Sequence, residues 1–152
     1  MELPKELVVV EDQNKNLSSI VHYKKMMEEI FSNSHVDEKF KRNILISFSA
    51  TKADNTVYGG ITGWIGYDFA LLEAIWVEKS YQKMGLGKML LNKLEKIARD
   101  NNCYRILTST NNVSDSLGFW IKNGFELMHK VETQETGFTI YYFQKILSSD
   151  VK

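Results

Sequence analysis

Short β-branched and aromatic runs alternate with polar turns along most of this chain, and a 3.6-residue period replaces them in a few places. Leu7, Val8, Val9 and Val10 form the first apolar run, which reads as a strand, and Asn14 and Asn16 after it suit a turn into a helix. Leu17, Ile20, Val21, Met27, Ile30 and Phe31 then fall mostly on one side of a helical wheel, with Lys24, Lys25, Glu28 and Glu29 between them. That spacing predicts an amphipathic helix, ended by Ser32-Asn33-Ser34, and Val36 and Phe40 predict a further short one.

From residue 44 the period shortens to two. Residues 44–51 and 56–66 read as strands joined by the polar turn Lys52-Ala53-Asp54-Asn55, an antiparallel hairpin, and 69–77 follows as a third strand after Gly66-Tyr67-Asp68. Residues 85–100 then return to a helical period, with Leu86, Met89, Leu90, Leu94, Ile97 and Ala98 on one face, the strongest helix signal in the chain. A strand over 104–110, a short helix over 115–122 and a closing strand pair over 125–131 and 138–147 complete a mixed α+β order. Trp64, Trp76, Tyr141 and Tyr142 read as aromatics packed within this framework.

Composition narrows the class. The 152 residues are 43% hydrophobic and 25% charged, ordinary for a folded domain, and no linker, repeat or low-complexity run divides them, so residues 1–152 read as one domain. Nineteen basic residues balance nineteen acidic ones, which removes any broad attraction to nucleic acid or to an anionic membrane. No positive stretch precedes an apolar run at the N-terminus, and nowhere do about 18 apolar residues occur in succession, so a cytoplasmic location is expected. Cys103 is the single cysteine and reads as a buried thiol at a strand entrance, while His22, His35 and His129 are scattered without a second ligand at metal spacing. No metal is expected.

The chemistry concentrates where the strand ending in Ile75-Trp76-Val77 meets the glycine-containing opening of the long helix. Amides at a helix start have no intrahelical acceptor and carry the positive end of the helix dipole, so a pyrophosphate fits there. Gly85 and Gly87 allow close backbone approach, and Lys83 and Lys88 add charge on either side. A Walker loop would need glycine at Gln82 and Ser or Thr at Met89. The dinucleotide fingerprint would need a small residue at Leu90. A nucleotide-binding enzyme therefore fits poorly.

The segment Gln82-Lys83-Met84-Gly85-Leu86-Gly87 resembles the coenzyme A loop of the GNAT superfamily of N-acetyltransferases, Gln/Arg-x-x-Gly-x-Gly/Ala. Upstream, Leu71 to Val77 looks like the central strand of that family, and downstream Phe119-Trp120-Ile121-Lys122-Asn123-Gly124-Phe125 resembles its Phe-Tyr-x-Lys-x-Gly-Phe segment. The run Gly137 to Phe143 looks like the last strand of one bacterial subgroup. The resemblance holds from about residue 57 to 147. It implies a single GNAT-like α+β domain whose twisted, mostly antiparallel central sheet is flanked by helices and splayed near Val77.

It also implies acetyl-CoA as cosubstrate. The expected contacts are the backbone of Ile75, Trp76 and Val77 for the pantetheine arm, and Gln82, Lys83, Met84, Gly85, Leu86, Gly87 and Lys88 for the pyrophosphate. Two positions depart from the family: its usual tyrosine acid is Trp120, and its usual asparagine falls at Val113, leaving Asn112 as the neighbouring candidate. Trp120 keeps an N–H that can hydrogen-bond to sulfur.

The implied reaction is direct attack of a primary amine on the thioester in a ternary complex, with the Val77 amide as oxyanion donor. Glu73 is the candidate base. Strict alternation would group it with Phe69, Leu71, Ile75 and Val77, where apolar surroundings would raise the pKa of its carboxyl. The acceptor is left open between a small-molecule amine and a protein amine, and the chain could assemble as a homodimer. A noncatalytic acyl-CoA-binding regulatory module is the alternative, since the tyrosine is missing.

Overall fold

The computed structural model describes residues 7–11, 25, 28, 29, 32, 43–112, 116–134 and 137–147. The helices predicted over 17–31 and near 36–40 lie outside these, except that Lys25, Glu28, Glu29 and Ser32 are helical and exposed. Among the described residues, no helix is long and apolar enough to cross a membrane.

Seven strands form one sheet: β1 (Val8–Glu11), β2 (Asn43–Thr51), β3 (Val57–Gly66), β4 (Phe69–Val77), β5 (Arg105–Asn111), β6 (Glu126–Glu132) and β7 (Thr139–Ile146). Their spatial order is β1-β2-β3-β4-β5-β7-β6, and every neighbouring pair is antiparallel except β4 with β5. Two helices are described within it, α1 (Leu86–Asp100) and α2 (Leu117–Lys122). The mostly antiparallel sheet with helices is the fold expected. The β2–β3 turn closes as predicted, with Asn55 N–H donating to Lys52 O and Thr56 N–H to the Asp54 carboxylate, both at 2.9 Å.

Helix α1 packs along β2 to β5. It buries Leu86, Leu90, Leu91, Leu94 and Ala98 against a core that includes Phe48, Ile61, Ile65, Leu72, Ile106 and Phe143. The buried stripe follows i, i+4 steps with Leu91 beside it, so Leu91 replaces Met89, which is 41% exposed, on the apolar face. The sheet is broad enough to cover one more neighbouring column of the helix, and it lies on the Leu91 side. Leu90→Ala is expected to cost about 3 kcal/mol, read as a lower denaturant midpoint at unchanged slope. Lys145 on β7 pairs with Glu95 of α1 at 2.5 Å, both largely buried, and so clamps the far half of the sheet to the same helix.

At the other end, β6 is an edge strand exposed at all seven positions, including Leu127, Met128 and Val131. It pairs with β7 as the closing strand pair expected, with neither of its faces packed on the core. Cys103 is buried just before β5, as its sequence context implied.

Candidate active site between the splayed strands

Strand β4 carries a defect that shapes everything around it. Its ladder with β3 pairs Gly63 with Leu72 and Thr62 with Ala74, leaving Glu73 as an extra residue, a β-bulge. Gly63 permits the close approach this requires: a Cβ there would sit 2.3 Å from the Leu71 carbonyl oxygen.

The bulge reverses the pleat. Gly59, whose missing Cβ would meet Leu86 and Leu90, marks the α1 face of the sheet. By register Ala70, Leu72, Ile75 and Val77 share that face, while Phe69, Leu71, Ala74 and Trp76 take the other. The grouping of Glu73 with Phe69, Leu71, Ile75 and Val77 is therefore corrected. Those four residues lie on two different faces, and Glu73 sits exposed at the switch rather than in apolar surroundings.

The parallel β4–β5 ladder has three rungs, Phe69 with Arg105, Ala70 with Ile106 and Leu71 with Leu107. Beyond it the strands part, several residues before Val77, because the bulge bends β4 away from its neighbour. Thr108 marks the fork, donating its hydroxyl to Leu72 O at 3.0 Å. The gap opens into a cleft of about 810 Å³. Glu78 N–H donates to Tyr58 O at 2.8 Å, which makes Gly59 and Val77 a non-hydrogen-bonded pair. The Val77 N–H and C=O consequently turn away from β3, toward the gap, as do those of Ile75 two residues earlier.

The loop from Val77 to α1 is tied to that edge. A 3-10 turn, Lys79–Tyr81, leads to Gln82, whose Nε2 donates to Val77 O at 3.0 Å. Lys83 and Gly85 both adopt positive φ, 61° and 90°, and the helix begins at Leu86. The first intrahelical bond is Met89 N–H to Gly85 O, so the amides of Leu86, Gly87 and Lys88 have no intrahelical acceptor. No side chain caps them and no acidic residue occupies the first turn. A Cβ on Gly85 would have nothing within 4 Å, so the space beside this residue is open to a ligand.

The cleft brings together most of the residues singled out from sequence. Glu73, Ile75, Trp76, Val77, Gln82, Lys83, Gly85, Gly87, Lys88 and Trp120 all line it. Met84 and Leu86 do not, and the Leu86 side chain is wholly buried in the core under α1. Asn112 is a second correction. Its Nδ2 donates to Gly137 O at 3.1 Å and its Oδ1 accepts from Thr139 N–H at 3.0 Å, so its carboxamide ties the end of β5 to the start of β7, away from the cleft. Gly87 is small because α2 packs there, with Phe119 Cε2 3.2 Å from its absent Cβ.

The aromatics divide differently from expectation. Trp76 is 48% exposed rather than packed away. Trp120 is only 3% exposed, set edge-on against Phe119 and Phe125 with both centroids at 5.1 Å. Its Nε1 is buried without a hydrogen-bond partner, an arrangement that costs about 1–3 kcal/mol unless a ligand supplies an acceptor.

Sequence reasoning missed the hydroxyl wall formed by Thr108, Ser109, Thr110 and Ser116. Thr110 and Ser116 hydrogen-bond hydroxyl to hydroxyl at 2.6 Å. Three consecutive hydroxyl residues directly after Ile106-Leu107 were the available signal.

A family model for the acetyltransferase (GNAT) family matches residues 12–125. Among solved structures, an acetyltransferase from Bacillus cereus ATCC 14579 superposes with a TM-score of 0.71 at 23% identity, over 90% of this chain and 96% of that one. An aminoglycoside 6'-N-acetyltransferase complexed with coenzyme A gives 0.68 at 14% identity, over 95% and 99%. The ribosomal-protein-S18-alanine N-acetyltransferase from Escherichia coli gives 0.63 at 14%, over 96% and 99%. At such identities the structural likeness is one of fold, and the family model is the stronger finding. Because that model spans well over half of the sequence and includes the bulged strand, the loop and the start of α1, the chain belongs to the acetyltransferase (GNAT) family.

Proposed function

We propose that this protein transfers the acetyl group of acetyl-CoA to a primary amine by direct attack within a ternary complex. The observation that carries the proposal is the open backbone edge of β4, which faces the same cleft as the uncapped amides of α1. Acetyl-CoA supplies an activated thioester with a long polar arm and a pyrophosphate. The residues present suit each part: the amides of Leu86 to Lys88, with Lys83 and Lys88, hold the anionic end. The backbone groups of Ile75 hold the arm in the manner of an added strand, and the Val77 N–H next along the edge is kept for the thioester carbonyl. The relative complexed with coenzyme A supports the same assignment.

Within that arrangement, Val77 N–H stabilises the negative charge that develops on the carbonyl oxygen. Glu73 accepts the proton lost by the attacking amine as the N–C bond forms. The C–S bond breaks and the electron pair leaves on sulfur, where the Trp120 N–H donates a hydrogen bond. A thiol of pKa about 8.5 departs without full protonation, so an indole suffices where a stronger acid is missing.

A broad amine panel, with released coenzyme A thiol as readout, tests the reaction. Release that depends on amine is expected. Tight acetyl-CoA binding with no release across the whole panel means a noncatalytic binding module instead. Trp120→Phe keeps the buried ring and deletes the donor, so turnover is expected to fall about fivefold at little change in stability. Trp120→Ala also empties a core site and should cost about 3 kcal/mol or more. Parental turnover in Trp120→Phe would leave the indole a purely packing role.

A further inference from the structure

Strand β4 presents two exposed groups to the cleft whose chemistry differs from that of the helical walls. An indole left 48% exposed is a large apolar surface to leave open, and it lies one residue from Val77, the candidate oxyanion donor, past the point where β5 parts from β4. Its register partner Gly60 makes the seat. A Cβ at Gly60 would fall 3.1 Å from Trp76 Nε1 and 3.7 Å from Cδ1, so any other residue there would displace the pyrrole edge of the ring. Trp76 stands on the face opposite α1, the side from which a second substrate can approach the Val77 amide without crossing the cofactor loop.

Glu73 is the second group. It is exposed at the bulge, it is the one carboxylate among the described residues lining the cleft, and it has no ion-pair partner among them. The cations of the same cleft, Lys83, Lys88 and Lys122, come from the loop, α1 and α2. The β4 wall is thus electron-rich, offering a π face and a carboxylate, while the cations come from the loop and the helices and β5 contributes neutral hydroxyls. An indole face is the strongest aromatic partner for an organic cation, and an unpaired carboxylate draws positive charge into a cleft.

Resting on the transfer reaction proposed above, we propose that the acceptor is an alkyl amine bearing at least one further ammonium, a di- or polyamine, and that Trp76 is the residue that selects it. Glu73 and Trp76 are three residues apart, about 10 Å along the strand. An extended alkyl chain lying along β4 meets both in one pose, keeping one nitrogen charged while the other reacts. An aromatic monoamine has no second ammonium to set against the Trp76 ring while its amine reacts, and an acidic acceptor would be repelled by Glu73.

The test compares 1,4-diaminobutane and spermidine with butylamine, phenethylamine and glutamate as acceptors, using thiol release with the parent, Trp76→Leu and Trp76→Phe. The di- and polyamines should show kcat/KM at least about tenfold above butylamine and phenethylamine, and that margin should narrow with added salt. Trp76→Leu should erase most of the preference through a raised KM for the polyamines, and Trp76→Phe should keep part of it. Equal kcat/KM for butylamine or phenethylamine in the parent, or a preference that Trp76→Leu leaves intact, overturns the polyamine assignment while the transfer reaction stands. Absence of transfer to every amine overturns both. The comparison among acceptors in the parent decides the matter even if a variant folds poorly.

Discussion

Gly85→Val is expected to weaken acetyl-CoA binding by at least about tenfold in a protein that still folds. Gly85 holds φ at 90°, a conformation that a β-branched residue adopts only with strain on the order of 1–3 kcal/mol. The added side chain meets no protein atom within 4 Å of its Cβ, so packing does not resist it. It would instead occupy the open space beside the free amides of α1, where the pyrophosphate is proposed to sit. Strain and obstruction therefore act together on the loop and spare the core. Gly85→Ala should fall between the parent and valine. Calorimetry on the folded variants measures the effect, and parental affinity in Gly85→Val would remove this loop from the cofactor site. Gly87→Val makes a poorer probe, because its Cβ would press on Phe119 and disturb α2 whatever the ligand does.

Glu73→Gln is expected to lower kcat by about 100-fold, the scale of a lost general base, with much less effect on acetyl-CoA affinity. The amide preserves shape at the bulge but accepts no proton. The bulge gives Glu73 an exposed position in the cleft, and exposure allows a second role in holding a cationic acceptor. Steady-state kinetics separates the two. A loss confined to KM for the acceptor, with kcat kept, would make Glu73 a binding carboxylate and leave the base to be found elsewhere. A loss in kcat at saturating acceptor supports proton transfer.

The features legible in the sequence are those written in neighbouring residues. The period of Leu86, Leu90, Leu94 and Ala98 predicts α1, and the glycines and lysines ahead of it predict an anion loop, because propensity and helix-end amides act within a few residues. Glu73 shows where such reading stops. A period of two assumes an unbroken ladder, and the Glu73 bulge depends on how closely β3 and β4 approach at Gly63. Asn112 shows another limit: a short polar residue near the expected position binds the backbone of residues 137 and 139, partners that sequence separation conceals.

By itself, then, the sequence determined the order of the described strands with α1 and α2 among them, the free amides at the helix start and its basic flanks, and the family motif they compose. Tertiary structure decided that β4 and β5 part after Leu71, that Trp76 is seated in the open over Gly60 while Trp120 is buried, and that hydroxyls from β5 and Ser116 line the opening. These follow from strand register and from which surfaces α1 covers. Both are settled by contacts between residues distant in the chain, where the loss of one pleat at a bulge changes the face of every residue beyond it.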